Sequence, residues 1–167
     1  GVRNRAAEGR SPQVGSFWQM ARGIDPIGQA TLSLSDDGRS LKLEGTSGLG
    51  DGERLRTLLA SERAKGLRRI ELSSPGGRVR EAEKMAEALK KHGHSSRVVG
   101  TCASACTLLF LAGEPRQVMN GAQLGFHRAS TGTYNPVIDE LANQDLARIY
   151  RKLGLTVAQS TALRVKM

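Results

Sequence analysis

Aromatic residues make up only 4% of the 167-residue chain, and cysteine occurs twice. So few rings leave a core to be built mainly from Leu, Val, Ile and Ala. Two cysteines, Cys102 and Cys106, are too few for a disulfide framework, and with no further Cys or His cluster they do not build a structural zinc site. The longest apolar stretch, Leu108 to Ala112, falls far short of the roughly 18 residues that span a bilayer. A basic block is also missing. Basic residues stand singly or in pairs, as at Arg68-Arg69 and Lys90-Lys91, with acids interleaved at Glu53, Glu62, Glu81, Glu83 and Glu87. The net charge of +9 therefore reads as a solvated basic face and not as dedicated nucleic-acid binding. The opening segment has the form of neither a signal peptide nor an amphipathic anchor, and the chain is expected to be a piece of a longer product.

What is present suits one globular α/β or α+β domain: 38% hydrophobic residues, 25% charged, and 20 glycines to supply special backbone geometry. Residues 1–26, rich in Arg, Gly, Ser and Gln and without periodicity, read as a tail or linker that Phe17, Trp18 and Met20 could pin down. From Gln29 onward Ala30, Leu32 and Leu34 alternate with polar residues, turn at Asp36-Asp37-Gly38-Arg39 and continue as Leu41 and Leu43, which predicts a β-hairpin. Leu55, Leu58 and Leu59 predict a helix stopping near Gly66, and Ile70 and Leu72 a short strand. Val79, Ala82, Met85, Ala86 and Leu89 form the apolar face of a second helix, ended by Lys90-Lys91-His92-Gly93. A strand over 97–100 and a buried helix over 104–112 follow, then two short strands around a turn at Asn120-Gly121. Asn135-Pro136 opens a helix that Gly154 ends, and Thr156 with Gln159 resembles a capping box for a last helix. This alternation of strand and helix predicts crossover connections and a largely parallel sheet.

Three segments, each after a predicted strand, could carry chemistry. In Ser73-Ser74-Pro75-Gly76-Gly77 the glycines let the backbone turn with N–H groups outward, a receptor for negative charge; a tight strand-to-helix turn is the plainer reading. In Gly100-Thr101-Cys102-Ala103-Ser104-Ala105-Cys106 small residues keep the Ser104 hydroxyl reachable, although a helix-capping serine looks similar. Phe126-His127-Arg128 places a histidine, the usual base for a serine nucleophile, at a strand end, where a structural histidine is the alternative. Together they could bring oxyanion donors, nucleophile and base to the ends of neighbouring parallel strands, where such sheets place their sites. His92 and His94 read as surface turn residues, and neither a metal nor a cofactor is called for.

From Ile70 to about Arg128 the sequence resembles the proteolytic subunit of the Clp protease and its relatives in the Clp/crotonase superfamily. The resemblance rests on Ser74-Pro75-Gly76-Gly77, an amphipathic helix, Val98-Val99-Gly100-Thr101, Ala103-Ser104-Ala105, Leu108-Leu109-Phe110-Leu111-Ala112-Gly113 and Gly125-Phe126-His127-Arg128. It implies an α/β fold, a spiral of β-β-α units with a largely parallel sheet and a protruding helical element near residues 136–153. It makes 27–167 one domain, truncated at its C-terminal end. It also implies a serine peptidase with Ser104 as nucleophile, His127 as general base, and the N–H groups of Gly76 and Ala105 as the oxyanion hole. A peptide or protein substrate and a homo-oligomer are implied as well.

The acid that orients the histidine in that family lies in a segment with no counterpart here, so the third member is unassigned. Asp139 and Asp145 are available but sit on a predicted helix, where solvent-facing charges are the plainer reading. A non-catalytic Clp-like domain that binds peptides or assembles a complex is the first alternative, and a crotonase-type acyl-thioester enzyme the second. The cysteines flank Ser104 four residues apart. On one regular helix that spacing seldom meets disulfide geometry unless Cys102 precedes the first turn, so two buried thiols are expected. A disulfide would instead stiffen the nucleophile turn and point to an oxidising compartment. The pattern is similar to that of bacterial exported or membrane-anchored Clp-like proteins. It favours the periplasm or a membrane association, through a segment outside this chain, over the cytoplasm.

Overall fold

The computed structural model describes residues 25–126 and 136–155; of residues 136, 138, 139, 141 and 142 it describes the backbone alone. The expected hairpin is present: β1 (Thr31–Leu34) pairs antiparallel with β2 (Ser40–Glu44), with Leu32 opposite Leu43. Its turn is held by Asp37, whose Oδ1 accepts hydrogen bonds from Ser35 Oγ at 2.6 Å and Arg39 N at 3.0 Å. Leu41 and Leu43 are fully buried, so this hairpin is the start of the core and not a surface flap.

Helix α1 (Asp51–Ala60) follows and buries Leu55 and Leu59. Its N-cap residue, Gly50, has no side chain to cap it. Asp51, itself buried, instead gathers Ala30 N, Gly48 N and Arg54 Nη1 at 2.8, 2.7 and 2.6 Å, which ties the helix start to the chain entering β1. A short 3₁₀ turn at Glu62–Ala64 leads into β3 (Arg69–Ser74), which alternates half-buried and buried residues. Helix α2 (Val79–His92) lays Ala82, Met85, Ala86 and Leu89 into the core and ends at Gly93.

Strand β4 (Ser95–Ala103) is longer than its sequence pattern suggests and is the spine of the sheet. It pairs parallel with β3 on one edge. On the other it pairs parallel first with β5 (Arg116–Val118) through Ser96–Val98, then with β6 (Gln123–Gly125) through Thr101–Ala103. The two short strands expected around Asn120-Gly121 therefore bond to β4 one after the other and not to each other. Between β4 and β5 stands α3 (Cys106–Ala112), every residue of which is buried, as its all-round apolarity requires. The sheet order is β1-β2-β3-β4-β5 with β6 also on β4, antiparallel only at the hairpin.

Helix α4 (Pro136–Lys152) buries Leu146, Ala147, Ile149 and Tyr150. It is laced to α2 by Arg80–Asp145 at 2.8 Å, Arg148–Glu83 at 3.3 Å and Lys152–Glu87 at 2.9 Å. The last helix expected after Thr156 lies outside the described residues.

Candidate active site

The β4–α3 junction is built around one unusual backbone. Ser104 has φ +56°, the only positive φ outside glycine among the described residues. That left-handed conformation costs an ordinary L-residue about 1–2 kcal/mol, so the surroundings must impose it. They do so on both sides. Ser104 N donates to Gly125 O at 3.0 Å, and Ser104 O accepts from Thr107 N at 3.0 Å and Thr107 Oγ1 at 2.6 Å. The helix starts at Cys106, two residues later than the sequence pattern suggests, because Ser104 and Ala105 are spent on the turn.

An irregularity in the sheet aims this turn. Leu72 pairs with Val98 and Ser74 with Cys102, so Ser73 alone stands opposite three residues of β4, numbers 99–101. Such bulges redirect the strand beyond them. Here they deliver Cys102 to Ser104 beside the glycine turn at the end of β3.

Gly76 is in contact with the serine. A Cβ built on it would lie 2.7 Å from Ser104 Cβ, 3.0 Å from Ala103 O and 3.1 Å from Ala105 N, and its φ of +114° is one that L side chains rarely adopt. Only glycine fits. Gly77, at φ +137°, backs against the 45–50 loop, where its missing Cβ would fall on the Ser47 carbonyl oxygen. The loop holds the pair in place: Ser47 N donates to Gly76 O and Arg78 N to Ser47 O, each at 2.8 Å. Behind it lies Asp25. Its carboxylate accepts from Arg78 Nη2 and Nε at 2.9 and 3.0 Å and from Leu49 N and Ile27 N at 2.7 and 3.1 Å. The Arg78 hydrogen bonds hold Asp25 at a pKa of about 2, against the upward push of burial. Asp25 falls in the stretch read from sequence as tail, yet its side chain is fully buried.

One expectation meets a specific obstacle. The Gly76 N–H does not face outward unpaired; it donates to Ser74 Oγ at 3.1 Å. The amides of Gly77 and Ala105 have no hydrogen-bond partner among the described residues.

His127 and Arg128 lie outside the described residues, as does the chain from there to α4. The segment leading to His127 is described as far as Phe126. It arrives beside the serine turn, because Gly125 pairs in register with Ala103 and accepts the Ser104 N–H. Phe126 packs edge-on against Tyr150 of α4, ring centroids 6.2 Å apart.

The cysteines correct the expectation of free thiols: Cys102 and Cys106 form a disulfide with their Cα atoms 5.3 Å apart. The spacing argument assumes one helix, but Cys102 sits on the strand and Cys106 opens the helix, so the intervening turn brings them together. His94 is a second correction. It is buried, not a surface turn residue, and its Nδ1 has no partner among the described residues; burial foremost, then the neighbouring His92, lowers its pKa. Asp145, the one acid of the two considered whose side chain is described, is engaged by Arg80 and Arg148.

A left-handed serine between a strand and a buried helix, packed on a glycine turn, stands at the C-terminal ends of the parallel strands of an α/β domain, where such sheets usually place their sites. The family model described as Clp protease matches residues 53–166, and the chain belongs to that family. The match spans Ser104, His127 and the glycine pair. Membership supports a peptidase-type hydrolytic function, in a family that acts on peptide or protein substrates and forms oligomers. None of the curated proteins compared with the chain matches it.

Proposed function

We propose that the chain is a serine peptidase in which Ser104 is the nucleophile and His127 the general base. Ser104 Oγ attacks the scissile carbonyl carbon while His127 takes the hydroxyl proton; the C–O bond forms as the carbonyl π pair moves onto oxygen. The oxyanion then rests on two amides. Ala105 N–H is one, as the family resemblance implies. Gly77 N–H replaces Gly76 N–H as the other, because Ser74 already occupies the Gly76 amide while that of Gly77 has no partner among the described residues. Gly76 serves by having no side chain, which lets the Ser104–Ala105 turn pack directly against the glycine turn. Collapse of the intermediate passes the His127 proton to the leaving amine, and a water activated by His127 hydrolyses the acyl-enzyme.

The observation that carries this reading is the left-handed Ser104, held against Gly76 on one side and, on the other, against Gly125, two residues before His127. Ser104→Ala and His127→Ala are each expected to lower amide hydrolysis at least about 1,000-fold with melting temperature unchanged within a few degrees. Full turnover by Ser104→Ala would overturn the assignment. Absence of turnover in the folded wild-type protein would favour the non-catalytic alternative.

The Cys102–Cys106 disulfide supports an oxidising location, such as the bacterial periplasm or the outer face of a membrane, since reducing cytosol keeps most such pairs open. Assembly into a homo-oligomer, with or without membrane association through a segment outside this chain, belongs to the same proposal.

A further inference from the structure

The disulfide has a position that its packing role does not require. Both cysteines are fully buried, and two small apolar side chains would fill the same core volume. What the bond adds is a covalent ring around Ala103, Ser104 and Ala105. One anchor of that ring, Cys102, is paired with Ser74 on β3 and with Leu124 on β6, the strands that lead to the glycine pair and to His127. The other anchor, Cys106, is the first residue of α3. The ring therefore fixes the first turn of α3 to a point of β4 that is held from both edges.

Of the three residues inside the ring, Ser104 and Ala105 are those for which small displacements matter most. Ser104 is in a disfavoured conformation that a loosened turn would leave, and the Ala105 amide points where the turn sends it. Hydrogen bonds from Thr107 restrain the Ser104 carbonyl, but both come from within α3 and move with the helix. The far end of α3 is fastened to the sheet by Ser96 Oγ, which donates to Phe110 O at 2.7 Å, and by Arg116, which donates to Leu111 O. At the turn itself the Ser104 N–H bond to Gly125 is the one hydrogen bond to the sheet among the described residues, and the disulfide is the one covalent cross-link.

We infer that the Cys102–Cys106 disulfide is a positioning device for catalysis, holding the Ser104 hydroxyl and the Ala105 amide in register with the glycine turn. This rests on the serine-peptidase reading. Opening the bond with a dithiol, which gives up two electrons and two protons and closes to a cyclic disulfide while Cys102 and Cys106 become thiols, leaves the fold standing and the site loosened.

The test uses Cys102→Ala/Cys106→Ala and, to refill the volume of the lost sulfurs, Cys102→Val/Cys106→Ala. The rate of fluorophosphonate labelling at Ser104, kcat and KM are measured per mole of folded protein, well below each variant's melting temperature. The expected result is a roughly 10- to 100-fold fall in labelling rate and in kcat with KM within about twofold, in both variants, and the same fall in wild-type protein whose Cys102 and Cys106 are shown by thiol alkylation and mass to be reduced while the protein stays folded. A purely structural bond would lower the melting temperature and leave the labelling rate of folded protein unchanged, and that result overturns the inference while the peptidase reading stands. If the disulfide-bonded wild-type protein itself neither labels at Ser104 nor turns over, the peptidase reading falls and the inference falls with it.

Discussion

At Gly76 the margin is a single methyl group. A Cβ there meets Ser104 Cβ at 2.7 Å and Ala105 N at 3.1 Å, and φ of +114° adds backbone strain. The collision is with the two residues assigned to the nucleophile and the oxyanion, so a Gly76→Ala variant acts on the site before it acts on the fold. Its kcat is expected to fall about 100-fold or more, comparable with losing an oxyanion donor. Steady-state kinetics beside circular dichroism checks this, and unchanged kcat would contradict it. The residue scale is also where sequence reading is least complete. The glycine pair and the small residues about Ser104 are legible because turn chemistry is local. That Ser74 takes the Gly76 amide depends on one rotamer, and that His94 is buried depends on what covers it.

Elements explain the remaining differences. The β-period of Leu41 and Leu43 and the helical period of Ala82, Met85 and Leu89 announce their strand and helix directly, because each of these elements keeps an exposed polar face opposite its buried one. The β4–α3 junction has no such contrast, being small and apolar throughout. Pattern alone therefore starts the helix two residues too early, at Ser104 and not at Cys106, and leaves the path of the turn between the two cysteines open. Asp25 illustrates a longer-range limit. Nothing near it in sequence signals that it will meet Arg78, which lies just past the glycine pair.

That pairing has a pH consequence. Asp25 has its pKa depressed from 3.8 to about 2, so it contributes stability that is fully present above pH 3.8 and is lost as pH falls through about 2. The contribution is on the order of 2 kcal/mol. Urea unfolding midpoints measured between about pH 4 and 2 should fall more steeply for the wild-type protein than for Asp25→Asn, which starts lower and lacks this part of the slope. Parallel slopes would contradict the assignment.

For the molecule as a whole, the fold places one strand, β4, between the segment bearing the glycine pair and the segment leading to His127. A parallel sheet delivers all three to the same end, which is why the order of motifs along the chain conveys the architecture even where individual contacts stay hidden. Family membership extends this to peptide hydrolysis as a general function. The measurement that bears most directly on the central claim is the site of covalent attachment of a fluorophosphonate, mapped by mass spectrometry of the folded, disulfide-bonded protein. The account predicts one phosphonylated residue, Ser104, in the native protein and none after denaturation before labelling. No adduct at Ser104, or adducts spread alike over many serines in native and denatured protein, would contradict it.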